Sequence, residues 1–379
     1  MKMLVRFLVL NVVTWSLWAQ CAQAKEEKWT HYGVRPLGMG NAYVAVADDF
    51  NALFYNPAGL ARLKDWTGEF LNPTVDISAN TAGFIGDAQA LADGSAGNTE
   101  AVIDLIEGQT GKVQHLGLGL TPHFVYPGWG FGVGLELAAT MIFHRYPTIE
   151  MDVGPSVIVP ISFAFNTLED RLSLGFTVKS RIDGGIDHTF SLQDIEAFTT
   201  KKDVKVIEEG EVAEEEKQLT DFVQGGVGYG ADVGLLFTPI KPMEPTIGLS
   251  ITDVGGTSYK KSNIQGDAKT TPDPVLPSVN MGFSIKPYQT PASYVLLAAD
   301  VHSINQPYSF SKKLNLGSEY GFSRIIKLQL GLHQGYLTAG MQFDVRFLKI
   351  RLATYAEEMG STAGTLEDRR YVLQLKLLI

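Results

Sequence analysis

The chain has 379 residues, of which 45% are hydrophobic, and a formal net charge of −10. Its 41 acidic residues outnumber 31 basic ones, which argues against nucleic acid as a partner, because affinity for a phosphate backbone rests on clustered bases. A single cysteine, Cys21, excludes a disulfide framework.

Lys2 and Arg6, the apolar stretch from Phe7 to Trp18, and Ala22-Gln23-Ala24 form the three zones of a secretory signal peptide. The mature chain is therefore expected to begin at Lys25. A lipidated Cys21 is the competing reading, but Trp18-Ala19-Gln20 lacks the Leu and small residues of a lipoprotein cleavage site. Cleavage after Ala24 removes two bases and the only thiol, leaving 355 residues at a net charge of −12. Beyond the signal no run approaches the roughly 18 apolar residues of a membrane helix, although barrels cross membranes with alternating strands that hydropathy nearly misses.

Gly33 to Ala61 is apolar yet obeys neither the two-residue nor the 3.6-residue period. Asp48 or Asp49 is suited to cap a short helix that turns Leu53 and Phe54 to one side. Asn56 followed by Pro57 supplies a cap and first position for another turn. Gly33, Gly38 and Gly40 permit tight bends and close backbone approach. Short apolar elements of this kind need a wall to pack against, and the interior of a barrel provides one. The competing reading is an ordinary N-terminal strand over Tyr43 to Val46.

From there the chain reads by twos. In Arg171 to Ile182, Leu172, Leu174, Phe176 and Val178 alternate with Ser173, Thr177, Lys179 and Arg181. Val227 to Phe237 repeats the pattern with Gly228, Gly230, Asp232 and Gly234 on its polar face. The GxGxG spacing there is not a phosphate cradle, because no helix follows. In the same way Ile326, Leu328, Leu330 and Leu332 alternate with Lys327, Gln329, Gly331 and His333. About fourteen strands are predicted, near 66–77, 113–126, 129–145, 149–166, 170–186, 225–240, 244–254, 276–287, 292–303, 311–321, 325–333, 336–346, 349–358 and 369–379. An even number suits a closed antiparallel transmembrane β-barrel.

Loop lengths supply an independent check. Every second join is short, as at Pro127-Gly128, Lys241-Pro242-Met243 and Phe347-Leu348, while the joins between hold the insertions near 78–112, 187–224, 255–275 and 359–368. Short periplasmic turns and long outer loops are the mark of a membrane barrel. Val102, Leu105 and Ile106 predict an amphipathic helix in the first insertion, over Asn98 to Gln109. The second major insertion, rich in Glu from Glu208 to Glu216, reads as a solvated, mobile loop without calcium-loop spacing. The last strand runs to Ile379 and resembles the C-terminal assembly signal of outer-membrane proteins, with Ile in place of the usual aromatic.

The inward faces of these strands carry Arg171, Lys179, Arg181, Lys313, Lys327, Arg346, Lys349, Arg351 and Lys376 against Glu136, Glu150, Asp152, Asp232, Asp300, Glu319 and Asp344. The signs nearly cancel, so this face alone does not select a carboxylate cargo. His115, His123, His302 and His333 also face inward, on separate strands and without metal-ligand spacing. With no G-x-S-x-G elbow and no cysteine nucleophile, an enzyme is not expected, nor is a cofactor or a bound metal.

Leu37-Gly38-Met39-Gly40-Asn41-Ala42-Tyr43-Val44-Ala45-Val46-Ala47-Asp48-Asp49 and Asn56-Pro57-Ala58-Gly59-Leu60 resemble the N-terminal signature of the FadL-like superfamily of outer-membrane proteins. The resemblance implies a signal peptide over 1–24, a hatch over 25–64 folded inside the barrel, and a barrel over 65–379 in the outer membrane. It implies partners of two kinds, outer-membrane lipid and a hydrophobic small molecule of the fatty-acid or hydrocarbon class, taken up passively. Phe50, Leu53, Phe54, Asn56, Pro57 and Ala58 are then the candidate hatch or substrate-binding residues, with backbone turns at Gly38 and Gly40. PorV-like and TraF-like relatives raise the alternative of a platform for secretion or conjugation components.

Overall fold

The computed structural model describes residues 33–94, 99–144, 148–191, 194, 204–208, 211–215, 219–262, 268–323, 325–345 and 348–377. The expected signal peptide, Cys21, Lys25, Arg346 and Ile379 lie outside them.

Fourteen antiparallel strands close into one barrel. We number them β1 (Thr67–Glu69 and Thr74–Ser78), β2 (Val113–Leu120 and His123–Tyr126), β3 (Trp129–Gly132 and Gly134–Phe143), β4 (Thr148–Thr167), β5 (Leu172–Ser191), β6 (Val223–Phe237) and β7 (Thr246–Thr252 and Tyr259–Lys261). The second half comprises β8 (Ser278–Gln289), β9 (Ser293–Val301), β10 (Leu314–Phe322), β11 (Ile326–His333), β12 (Tyr336–Val345), β13 (Leu348–Glu358) and β14 (Glu367–Leu377). Each strand pairs with the next, and β1 closes on β14 from Thr74↔Gln374 to Ser78↔Arg370.

The two-residue alternation sorts the side chains. Phe176, Val178, Tyr229 and Leu330 point outward and are 46%, 57%, 70% and 65% exposed, whereas Ser173, Thr177 and Asp232 on the intervening positions are buried. An apolar outer face of this kind suits hydrocarbon, and no helix among the described residues is long and apolar enough to cross a membrane. Trp66, Phe124, Trp129 and Phe131 cluster ring against ring on the outer face of β1 to β3, beside the short turn that joins β2 to β3.

Several boundaries differ from expectation for local reasons. The first strand is not continuous: Phe70 and Leu71 both point outward, so one extra residue shifts the phase, and ladder pairing lapses between Glu69↔His123 and Thr74↔Gly119. β7 continues beyond a bend to pair Tyr259–Lys261 with β6, inside what reads as a loop. The first outer insertion holds two helices, α2 (Thr81–Gly94) and α3 (Thr99–Gln109), where one was expected; Gly83 and Gly86 obscure the first. Within the acidic insertion, which reads as a loop, Val204–Glu208 and Glu211–Glu215 pair antiparallel.

Candidate functional site

Residues 33–63 lie inside the barrel. Tyr43 to Val46 does not form a strand; the segment is a run of turns with one five-residue helix, α1 (Val34–Gly38). Asp49 caps a 3-10 helix over Phe50–Leu53 by accepting the Asn51 N–H at 2.9 Å. Asn56 caps a second, Pro57–Arg62, by accepting the Ala58 N–H at 3.2 Å, with Pro57 at its first position. Met39, Tyr43, Leu53, Phe54, Tyr55 and Leu60 join in one buried cluster with Val125, Ile158 and Leu296 of the wall.

The segment runs as a collar around the inner wall. α1 lies against β11 to β14; Met39 and Gly40 lie on β10 and β11, Tyr43 to Ala45 on β7 to β9, and Asn56 to Ala58 on β5 and β6. The first 3-10 helix reaches β2 to β4, with Phe50 stacked on His123 at a 4.0 Å centroid distance. The chain then leaves past the short turns, where Gly128 N–H donates to Leu60 O and Asn166 Nδ2 to Ala61 O.

A belt of glycines makes this course possible. An added Cβ at Gly175 would stand 2.4 Å from Ala58 N, at Gly234 2.0 Å from Asn56 Oδ1, at Gly248 2.6 Å from Val44 O, and at Gly282 2.9 Å from Ala45 N. At Gly317 it would meet Met39 O at 2.3 Å, at Gly331 Gly40 N at 2.3 Å, and at Gly340 Gly38 Cα at 2.8 Å. These glycines let backbone touch backbone, so the collar reaches the hydrogen-bonding groups of the wall. Gly40 is the reciprocal case: it has φ +62, and its Cβ would clash with Leu316 O and Leu332 N.

Polar anchors fix the collar at intervals. Asp300 accepts the N–H groups of Tyr43 and Val44 at 2.5 and 2.7 Å. Asn56 Nδ2 donates to Val44 O, and to Leu235 O and Leu249 O, which belong to one registered wall pair. Arg35 is the hub. Its guanidinium forks onto Glu319 at 2.7 and 2.8 Å and also reaches Tyr43 Oη, Asp48 and Asp49. Arg62 donates to Ser173 and Thr246, and Thr338 to Gly38 O.

At the β1 bulge the wall has its own fastening. Pro73 and Pro122 remove N–H donors from adjacent strands near the same level. Asn72 stands in for the missing ladder pair: its Nδ2 donates to Thr121 O at 2.7 Å and its Oδ1 accepts Thr121 N–H at 2.8 Å. Behind it, a Cβ on Gly132 would lie 3.2 Å from Leu53 Cδ1, so apolar collar and outer apolar face are one wall thickness apart.

Each expected residue now has a place. Phe50, Leu53, Phe54, Asn56, Pro57 and Ala58 are all buried in the collar, and Gly38 and Gly40 lie where the backbone meets the wall. The four histidines face inward and are hydrogen-bonded, His115 to Thr140, His123 to Thr121 O, His302 to Asp300 and His333 to Asn315. Two lumen assignments need correction. Arg171 sits in an exposed turn beside Glu169, because β5 begins one residue later, and Lys313 donates to Ile304 O and Gln306 O at the outer end of β10. Asp300 and Glu319 carry anchoring roles that strand alternation cannot reveal, and Asn72 falls in a bulge that hides its inward phase.

No protein-family model matches the chain, and no curated protein is similar to it in sequence. Solved structures are similar. A structure of the CymD monoaromatic hydrocarbon channel aligns with a TM-score of 0.52 and 11% identity over 93% of this chain and 99% of that one. The Pseudomonas putida toluene transporter TodX gives 0.49 and 13% over 93% and 98%, and a Pseudomonas aeruginosa FadL homologue gives 0.43 and 10% over 90% and 97%. What the chain shares with CymD is the fold, over nearly the whole length of both.

Proposed function

We propose that this protein carries hydrophobic small molecules inward across the outer membrane, passively, and releases them sideways through the wall. The observation that carries the reading is the fastened collar. Anchored to strand after strand, it narrows the aqueous path, while the buried Phe50 and Leu53 make an apolar layer directly behind the bulged wall of β1 to β3. A solute that prefers hydrocarbon to water gains by entering the bilayer there. The outer membrane holds no nucleotide to drive transport, and a downhill path needs none. Hydrocarbons and fatty acids are the natural cargo classes, and CymD is a monoaromatic hydrocarbon channel. A platform for secretion or conjugation components would be served by a lumen blocked throughout, whereas Glu136, on an inward position above the collar, is exposed.

The test is uptake of a labelled alkylbenzene into vesicles with and without the protein. A Cβ on Gly119 would lie 3.5 Å from Thr74 Cβ, within the spacing a disulfide bridges. The Thr74→Cys/Gly119→Cys variant, oxidised, is expected to lose most uptake and to regain it on reduction. Asn72→Ala is expected to raise uptake severalfold and to speed hydrogen exchange of the Thr121 amide. Equal uptake with and without the protein defeats the transport reading. Uptake that ignores the disulfide redirects the exit elsewhere.

A further inference from the structure

The wall departs from a plain ladder at a second place, between β6 and β7. Pairing lapses from Val233↔Ile251 to Gly228↔Tyr259, so residues 229–232 of β6 face residues 252–258 of β7. The longer side folds inward as a turn. Gly256 N–H closes it on Asp253 O at 2.8 Å, and Gly255, with φ +80, takes the turn position that favours glycine.

The GxGxG spacing of β6 gives this turn its seat. A Cβ on Gly228 would stand 2.7 Å from Thr257 Cγ2, and one on Gly230 2.5 Å from Thr257 Oγ1, 2.8 Å from Asp253 Oδ1 and 3.0 Å from Lys179 Cε. Bare backbone on the inward side of β6 lets side chains of β5 and β7 meet across it. Lys179 of β5 passes over Gly230, its registered partner, and bonds Asp232 and Asp253 at 2.6 and 2.9 Å. All three side chains are buried. Asp232 also accepts the Asp253 N–H at 2.7 Å, and Asp253 accepts the Thr257 hydroxyl at 2.6 Å. Toward the long loops a second row joins Ser156 of β4 and Tyr259 of β7 to Asp183 of β5, beside Arg181.

Where the ladder lapses, closure of the wall rests on these side chains. Outside it Tyr229, Val233, Leu249, Val254 and Met281 are exposed, a surface suited to hydrocarbon. Inside it, Asp232 is the inward position next to Gly234, where Asn56 of the collar lies. The β6–β7 wall therefore has what the β1–β2 wall has: a lapse in pairing, apolar residues outside and the collar behind. The fastenings differ. A neutral amide, Asn72, bridges the first lapse, and a buried ion triad holds the second.

We propose that the inward turn of β7 is a latch, positioned by Lys179, that holds the β6–β7 wall closed and so confines a hydrophobic solute to the way out at β1 to β3. The cargo rests on the transport reading, whereas the closure is a property of the wall alone. Without the ammonium, Asp232 and Asp253 face each other as buried like charges, and the contact that draws the turn onto β6 becomes repulsive. The turn then lifts from Gly228 and Gly230, and the lapse opens onto hydrocarbon.

Thr252→Cys places a thiol on the inward face at the foot of the turn, outside the latch itself. The test follows its reaction with an alkyl maleimide dissolved in the bilayer, with the parent chain giving any background from Cys21. Labelling is expected to be slow, and on the order of tenfold faster after Lys179→Met, because the turn then opens locally. Lys179→Arg keeps the charge and should keep labelling slow. If Lys179→Met yields no barrel, Thr257→Val removes the hydroxyl bond to Asp253 at nearly constant shape and should give a smaller rise. Alkylbenzene uptake is the second readout. In oxidised Thr74→Cys/Gly119→Cys, Lys179→Met should restore most of the uptake that the disulfide removes, and Lys179→Arg should not. Labelling as fast before Lys179→Met as after it overturns the latch. So does faster labelling without restored uptake in a chain whose reduced form takes up alkylbenzene. Faster labelling with no uptake by any chain removes the transport reading and leaves the closure standing.

Discussion

Gly331→Ala is expected to be among the most damaging single-methyl additions in this protein. The new Cβ would stand 2.3 Å from Gly40 N, 2.5 Å from Met39 C and 2.7 Å from Gly40 Cα, all of them backbone atoms that cannot rotate aside. Overpacking a core usually costs about 1–3 kcal/mol, and here the collar must shift as a body, which also strains the contact of Met39 O with Gly317. Gly331→Leu should therefore prevent the collar from seating and yield little barrel that resists detergent until boiled. Gly86→Ala is the matched control. Nothing lies within 4 Å of a Cβ there, and Ala in place of Gly within α2 should favour the helix by up to about 1 kcal/mol. Gel mobility with and without heating and urea unfolding in bilayers measure both. Unchanged mobility and midpoint for Gly331→Leu would mean that the collar does not press on β11.

The difference between those two glycines marks how far the sequence can be read. Strand number, strand phase and the short-and-long rhythm of the joins follow from the period of two and from turn residues, and they are local signals. Gly331 is visibly on the polar, inward face of Ile326 to His333. Its need to be glycine comes from Gly40, nearly three hundred positions away, and no window of local sequence contains both. Reading the strands together narrows the gap, because Gly175, Gly234, Gly248, Gly282, Gly317, Gly331 and Gly340 all occupy inward phases, which is an excess of bare backbone on one side of a wall. The caps at Asp49 and Asn56 were legible because capping is local. Asp300 and Glu319 were legible as inward carboxylates, but their partners, the amides of Tyr43 and Val44 and the guanidinium of Arg35, lie in another segment. Asn72 was hidden by the bulge itself, since a one-residue shift exchanges inward and outward positions.

Arg35→Leu tests the anchor on which the start of the collar depends. Glu319 is fully buried on β10, and the guanidinium fork is its main source of compensation, with Tyr294 Oη and Gln329 Nε2 supplying hydrogen bonds at 2.6 and 3.0 Å. Removing one partner of a buried ion pair costs about 3–5 kcal/mol, chiefly because the other charge stays in place without compensation. The same substitution frees Tyr43 Oη and releases Asp48 and Asp49, which are 40% and 30% exposed and lose little because water reaches them. The expected result is a large fall in the urea midpoint for Arg35→Leu and a smaller fall for Glu319→Leu, because Asp48 and Asp49 still compensate the arginine. Arg35→Leu/Glu319→Gln should recover much of that loss, because an amide keeps its bonds to Tyr294 and Gln329 without a buried charge. The double-mutant cycle should then give a coupling in the range of about 1–3 kcal/mol for groups in one network. Arg35→Lys should rescue only partly, since a single ammonium cannot reproduce the two-pronged contact with Glu319. Additive effects in the cycle would show that the pair contributes no more than its separate parts, and the anchoring of the collar would then fall to Asp300, Asn56 and the glycine belt.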